Sequence, residues 1–391
     1  MGTMTNVIFI GFASFFADIS SEMVYPIIPL YLASVFGATP GLIGLIEGFA
    51  GLLSGLLKIF GGYATDKFQK KKRLAFIGYA TGLLYKIILI TAGSWAGIML
   101  ARVVDRLGKG IRMVPRDVLV FESTEQHQIG KAFGIHKAMD MAGSALGILT
   151  AYLIMRFSHN FSYRSIFVLS IFPTLMCLGM FIFIREKKSI PLPVVRESLL
   201  RNYQRLDVQL KLYLLVALLF TLGNSSNTFL LLRAKSLGIG DASVILLYFV
   251  YNLSASLLSI PMGRLSDQVG RKKLLVSGYL IYTLVYLGFA FAKQPGFLFA
   301  SFTLYGAYTA MVSGVERAYI AEISPPDLKG TMLGMHATIV GVALLPASVI
   351  AGLLWDTFGV AVPFVFGSCL SLSAALVLFF LMKPRQVPGA R

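Results

Sequence analysis

Negative charge is what this sequence has least of. In 391 residues, 18 Asp and Glu stand against 35 Lys and Arg, a formal net charge of +17, and the four types together make up only 14% of the chain. A water-soluble protein carries about 25%, so a solvated globular surface is excluded. Cysteine is nearly absent. Cys177 and Cys369 both sit inside apolar runs; they say nothing about disulfides and give no metal framework. There are only four histidines. No Gly-x-x-x-x-Gly-Lys-Ser/Thr loop occurs, so ATP does not drive the protein. The Gly108-Lys109-Gly110 stretch follows no strand and is not a dinucleotide fingerprint. No Ser/His/Asp or metal-hydrolase cluster is present. These absences argue against an enzyme, a cofactor and a metal.

What the chain has instead is length in apolar runs. It is 56% hydrophobic with a mean hydropathy of +0.75. Runs long enough to cross a hydrocarbon core about 30 Å thick recur from end to end. They are continuous rather than alternating, which excludes a strand barrel. The expected fold class is an all-α integral membrane protein. Twelve transmembrane helices are read near residues 6–36, 41–65, 73–92, 95–118, 129–156, 162–185, 209–235, 241–265, 273–293, 296–322, 330–356 and 360–383. Met1 to Ile8 lack Lys and Arg, and the first run exceeds signal-peptide length, so it is read as a spanning helix.

The polar stretch Arg185–Asp207 has no long apolar run and divides the chain. The expected organisation is a six-helix bundle over 1–186, a cytosolic linker over 187–208 and a second six-helix bundle over 209–391. Positive charge gathers in Lys67, Lys70, Lys71, Lys72 and Arg73, in Arg264, Arg271, Lys272 and Lys273, and in the linker and tail. The opposite loops, near Gly37–Pro40, Gly93–Ser94 and Gly359, carry no Lys or Arg. Cationic loops stay in the cytosol, so both termini and the linker are expected there. In a bilayer protein the basic excess is this topological signal, and nucleic acid is not expected as a partner.

The halves repeat. Gly130-Lys-Ala-Phe-Gly134-Ile-His136 matches Gly330-Thr-Met-Leu-Gly334-Met-His336, 200 residues on. Gly62-Tyr-Ala-Thr-Asp66 matches Gly263-Arg-Leu-Ser-Asp267, 201 residues on. Matching punctuation at a near-constant offset implies two copies of one six-helix unit.

Charge inside the spans marks candidate sites. Arg102, Asp105, Lys109, Arg112 and Arg116 recur every three or four residues and form one stripe on the fourth span. A charge at the helix centre costs about 2.5–3.5 kcal/mol on insertion scales, so the stripe must face a wet cavity, an anion or partner carboxylates. On the first span Asp18, Glu22 and Tyr25 share a face. Two desolvated carboxylates on one face favour holding a proton between them, as a proton-coupled carrier needs. Lasting pairing with the stripe is the structural alternative. Glu47 and Lys58 on the second span and Lys86 on the third are further intramembrane charges, either functional or held in internal ion pairs. His136 and Asp140, one turn apart, suit a proton relay. Later spans offer Asn224, Asn227 and Arg233, Tyr251 and Asn252, and the pair Glu316 and Arg317, which stands at the repeat positions of Arg116 and Asp117. Cross-half pairing of Arg116 with Glu316 and of Asp117 with Arg317 is a candidate cytosolic latch.

The loops Gly62-x-x-x-Asp66-Lys67-x-x-Lys70-Lys71 and Gly263-x-x-x-Asp267-x-x-Gly270-Arg271-Lys272 resemble the two signature loops of the major facilitator superfamily. Gln69 and Gln268 depart from that pattern, at a usual Gly and a usual basic residue. The stretches Asp18-Ile-Ser-Ser-Glu22-Met-Val-Tyr25-Pro26, Asp105–Arg112 with Pro115-Arg-Asp117, and Leu222–Ser226 are similar to a group of bacterial permeases within it. The resemblance implies two bundles around a central cavity lined mainly by spans one, four, seven and ten, with access alternating as the halves rock. It also implies that Asp66 and Asp267 meet helix N-termini of the opposite half, span eleven and span five, and hold a cytosolic gate, with Lys67 and Arg271 counted among the gate residues.

The function expected is a secondary, proton-coupled, alternating-access carrier of a small organic solute, monomeric in the bacterial inner membrane. The expected substrate set is Glu22, Tyr25, Arg102, Lys109, Arg112, Asn224, Asn227, Arg233, Tyr251 and Asn252. The expected proton set is Asp18, Glu22, Glu47, Asp105, His136 and Asp140. The excess of deep cations favours an organic anion or polycarboxylate, a carboxylate siderophore being one instance. The alternative is a multidrug–proton antiporter exporting lipophilic cations, centred on Glu22 and Asp18 with Tyr25, Phe15 and Phe16.

Overall fold

The computed structural model describes residues 3–68, 70–123, 129–158, 162–186, 207–323 and 329–382. All regular structure among them is helical. Apolar runs in a bilayer must satisfy every backbone group internally, and a helix does so within one segment.

Two compact units are formed, one from residues 1–193 with 238–249, the other from 194–237 with 250–391. The first opens with α1 (Thr3–Val24) and α2 (Ile27–Phe36), one span interrupted where Pro26 removes a backbone donor. It continues with α3 (Pro40–Phe68), α4 (Lys71–Thr91), α5 (Trp95–Glu122) and α6 (Ile129–Phe157). It closes with α7 (Tyr163–Leu169) and α8 (Ile171–Met180), divided at Ser170. The proposed linker 187–208 lies outside the described residues up to position 206.

The second unit holds α9 (Val208–Gly223) and α10 (Thr228–Ser236), separated by an unwound turn at Asn224–Asn227. Then follow α11 (Asp241–Val269), whose first turns belong to the first unit, and α12 (Arg271–Phe291). The remaining helices are α13 (Pro295–Val312), α14 (Val315–Ile323), α15 (Lys329–Phe358) and α16 (Val362–Leu381).

Among the described residues, 10 helical stretches are long and apolar enough to cross a membrane. The second and fourth expected spans are not among them. Of α3, only Pro40–Ser54 qualifies, as a shorter apolar helix. Helix α5 is long, but its charged stripe lowers its hydropathy. The chain is a multi-pass helical membrane protein, and among the described residues ten of the twelve expected spans rest on length and apolarity.

Two close approaches set the sites. Helix α4 packs on α5 through glycines: a Cβ on Gly78 would stand 2.9 Å from the Gly108 carbonyl oxygen, and one on Gly108 would stand 2.8 Å from that of Gly78. This contact seats the stripe of α5 against α4. In the second unit α9 meets α16 at Gly223 and Gly367, where a Cβ on Gly367 would lie 2.5 Å from the Gly223 oxygen. That approach fixes the helix end from which the unwound turn departs.

Candidate functional site

The stripe predicted on α5 exists: Arg102 and Asp105 are buried, and Lys109, Arg112 and Arg116 are half-buried. Arg102 is 1% exposed and donates through Nη2 to Glu47 Oε2 at 2.7 Å; Glu47 is 5% exposed. Helix α3 supplies this carboxylate because it packs along α5. The Arg102 guanidinium also lies 5.1 Å from the ring centre of Tyr25, within cation–π range. One turn on, Asp105 Oδ2 gathers three cations: Lys109 Nζ at 3.3 Å, Arg102 Nη1 at 3.6 Å and Arg106 Nε at 4.0 Å. None of the three reaches it with hydrogen-bond geometry. Asp105 Oδ2, Arg102 Nε and Arg106 Nε are buried without a hydrogen-bond partner among the described residues. Such groups at this depth call for water or a ligand.

Asp18 and Glu22 on α1 are half-buried, and neither makes an ion pair or hydrogen bond with another described residue. The charges acting on Glu22 are those of Lys109, Asp18, Arg106 and Asp105. Those acting on Asp18 are Asp140, Arg112, Arg116 and Lys109. Among the described residues the lasting pairing weighed for these two acids is thus absent, and the stripe takes its carboxylates from α3, from α6 and from α5 itself.

Toward the other end of α5, Arg112 stacks over Tyr79 at 4.4 Å. The Tyr79 hydroxyl lies 2.8 Å from Ser14 Oγ, which lies 2.9 Å from His136 Nε2. His136 Nδ1 faces Asp140 Oδ2 at 3.7 Å, and Arg116 Nη1 faces the same oxygen at 3.8 Å. The expected His136–Asp140 pair is brought together at ion-pair range. Its continuation through buried Ser14 and Tyr79 was missing from the sequence reading, since the link runs across α1, α4 and α6. Arg116 also donates through Nε to Asp117 Oδ1 at 3.0 Å.

The second unit builds its site from amides and tyrosines. With the helix open at Asn224–Asn227, the Asn224 side chain donates to the Tyr308 hydroxyl at 3.0 Å, and the Tyr305 hydroxyl donates to Asn227 Oδ1 at 2.8 Å. Tyr282 donates to the Gly223 carbonyl at 2.9 Å, satisfying the helix end. Tyr282 stacks on Tyr286 at 4.0 Å and meets Tyr308 edge-on at 4.8 Å; Tyr251 packs on Tyr305 at 5.0 Å. The result is a wall of phenols around two amides with no formal charge. Of these tyrosines only Tyr251 was in the expected set. The signal was present: Tyr279, Tyr282 and Tyr286 recur at helical spacing, as do Tyr305 and Tyr308. Asn252, also expected, is half-buried on α11 and makes other contacts.

Arg233 was expected among the substrate residues, and its guanidinium is committed elsewhere. Nε donates to the Phe289 carbonyl at 2.8 Å, and Nη2 to those of Ala292 at 2.7 Å and Ala290 at 3.3 Å. It closes the carbonyl end of α12, where a cation is favoured.

Three of the expected latch residues have partners among the described residues. Arg116 takes Asp117 and Asp140, whereas Glu316 Oε1 accepts from the Tyr279 hydroxyl at 2.9 Å and Arg317 is exposed. Arg271 pairs with Glu322 at 2.9 Å, and its repeat counterpart Lys71 pairs with Glu122, each bridging two helices of one unit. Asp66, Lys67 and Asp267 lie outside the residues whose side chains are described.

The sequence model described as Major Facilitator Superfamily matches residues 10–232 and 212–391. An uncharacterized MFS-type transporter of Methanocaldococcus jannaschii is 37% identical over 383 residues, 96% of this chain and 94% of the relative. A multi-drug resistance efflux pump PmrA homolog of Lactococcus lactis is 34% identical over 158 residues, 39% of this chain and 39% of that protein. Among solved structures, a variant of the nucleoside transporter NupG superposes with a TM-score of 0.84 at 11% identity, covering 97% of this chain and 100% of that one. The D-xylose-proton symporter gives 0.75 at 17%, covering 97% and 98%. At such identities the structural likeness concerns the fold alone.

Proposed function

This chain belongs to the major facilitator superfamily and is a membrane transporter rather than an enzyme, and we propose that it is a proton-coupled, alternating-access antiporter exporting amphipathic organic compounds. The observation that carries this is the state of Asp18 and Glu22. They are half-buried on one face of α1 without a direct ion pair among the described residues, while Lys109 and Arg116, two of the cations acting on them, face Asp105 and Asp140. A carboxylate pair free to exchange protons is what an antiporter needs. The tyrosine and amide wall in the second unit supports an aromatic or amphipathic cargo, because phenol rings offer apolar area with a polar edge. Partial relatives bearing multidrug names add to that reading.

An organic anion, a carboxylate siderophore included, is the second reading. It is supported by Arg112, which stacks on Tyr79 and makes no carboxylate pair within 4.0 Å among the described residues, and by Lys86, 3% exposed beside the Tyr85 ring. In either case Asp105 Oδ2 and the unpartnered Arg102 and Arg106 nitrogens offer polar contacts to the bound solute or its water. We place both termini in the cytosol, the protein as a monomer in the cytoplasmic membrane, and Asp66 and Asp267 at a cytosolic gate.

Proteoliposomes with an imposed pH gradient test the two readings side by side. Efflux of a cationic dye, lost in Glu22→Gln, supports the antiporter. Gradient-driven uptake of a labelled tricarboxylate with no dye movement would replace it with the anion carrier.

A further inference from the structure

The two repeats differ at one half-buried position in a way that transport of the solute does not explain. In the first, Arg116 faces Asp140 at 3.8 Å. Two hundred residues on, the arginine is Glu316 and the aspartate is Val340. The histidine persists as His336, and Tyr79 persists as Tyr279. The second repeat has therefore exchanged a cation for an acid and removed the acid it paired with. One carboxyl group remains beside the histidine, and the cation now at position 317 is exposed and acts on both only at a distance.

Tyr279 on α12 donates to Glu316 Oε1 at 2.9 Å. His336 Nε2 on α15 lies 3.9 Å from Glu316 Oε2. Tyr213 on α9 stacks on the His336 ring at 6.2 Å and packs against Tyr319 of α14 at 5.1 Å. Tyr308 of α13 lies within electrostatic range. Arg317, the next residue along α14, is exposed, and no Lys or Arg nitrogen comes within 4.0 Å of Glu316 among the described residues. His336 Nε2 and the Tyr213 hydroxyl are buried with no hydrogen-bond partner among the described residues. An orphaned imidazole nitrogen, an orphaned phenol and a carboxyl group with no ion-paired cation thus converge on one spot.

We propose that Glu316 and His336 form a second proton-binding site, in the second repeat and separate from Asp18 and Glu22. One proton from water neutralises the pair: it sits on Glu316 Oε2 and is offered toward His336 Nε2, directly after a small rotation or through one water across the 3.9 Å gap. Tyr279 keeps its hydrogen bond to Oε1 in either state. The arrangement ties protonation to contacts between α12, α14 and α15. Its part in coupling rests on the antiporter reading above; its existence as a proton site does not.

The test reads protonation itself, so no solute is needed. The reconstituted full chain is titrated from about pH 5 to about pH 8, and infrared difference spectra follow the carboxylic-acid C=O stretch. The expected result is a band that is lost in Glu316→Gln, retained in Asp18→Asn and Glu22→Gln, and moved in His336→Asn. Glu316→Asp, which keeps the acid, should shift the band rather than remove it, and this guards against a Gln variant that fails to fold. A wild-type difference spectrum reproduced unchanged by Glu316→Gln would overturn the proposal. A failed dye-efflux assay with the band intact would instead fault only the antiporter reading.

Discussion

The guanidinium of Arg102 donates to Glu47 at 2.7 Å with both side chains almost wholly enclosed, 1% and 5% exposed. Removing one member of a buried pair leaves the other uncompensated and costs about 3–5 kcal/mol. Glu47→Gln and Arg102→Met should each lower the unfolding midpoint in detergent markedly. The double variant Glu47→Gln with Arg102→Met should recover most of the loss. Equal losses for the singles and a summed loss for the double would mean that the two do not act as a pair.

Asp18→Asn and Glu22→Gln should separate driven transport from exchange. Both acids lack ion pairs among the described residues, so neutralising them should leave folding near wild type. Gradient-driven flux should fall to background, while exchange of labelled for unlabelled solute at equal pH persists. Loss of exchange in step with driven flux would assign these acids to solute binding alone.

Tyr305→Phe keeps the ring and removes the hydroxyl that reaches Asn227 at 2.8 Å. A neutral hydrogen bond contributes about 0.5–1.5 kcal/mol, roughly a threefold to tenfold change in affinity. Solute Kd should weaken by that amount, read by tryptophan fluorescence or scintillation proximity, with the thermal midpoint shifted little. An unaltered Kd would remove the amide and phenol wall from the binding site.

Arg233→Ala should act on stability and not on solute choice. Its guanidinium holds three carbonyls at the end of α12, and hydrogen bonds from a charged group are worth about 1.5–3 kcal/mol. The variant should unfold at lower temperature yet keep the wild-type ranking of solutes in a competition assay. A changed ranking would restore it to the substrate set.

The duplicated plan was legible from punctuation alone. Gly130 and Gly330, His136 and His336, and the two basic loops announced it, and the structure adds Lys71–Glu122 with Arg271–Glu322 at the same offset. The charged stripe of α5 was legible too, because 3.6-residue periodicity places its members on one face. Partner choice was not. Glu47 reaches Arg102 only because α3 packs along α5, and Gly78 and Gly108 let α4 close from the other side. Nothing local to Glu47 says which helix it will meet. Arg233 misled for a related reason: an apolar helix ending in an arginine reads as a site, whereas the free carbonyls it serves belong to α12, over fifty residues further on. The tyrosine wall could have been found from spacing, but phenols at helical intervals also describe ordinary core packing.

Helix α10 is joined to α9 only by the unwound turn at Asn224–Asn227, yet its far end is bolted by Arg233 to the tip of α12. Those two attachments make it a lever. A pivot at the asparagines cannot swing α10 by itself; the load passes along its axis to Ala290 and Ala292. A solute that bends or straightens the turn would therefore pull on a neighbouring helix about 9 Å away, at the 1.5 Å rise of the helical residues from Thr228 to Arg233.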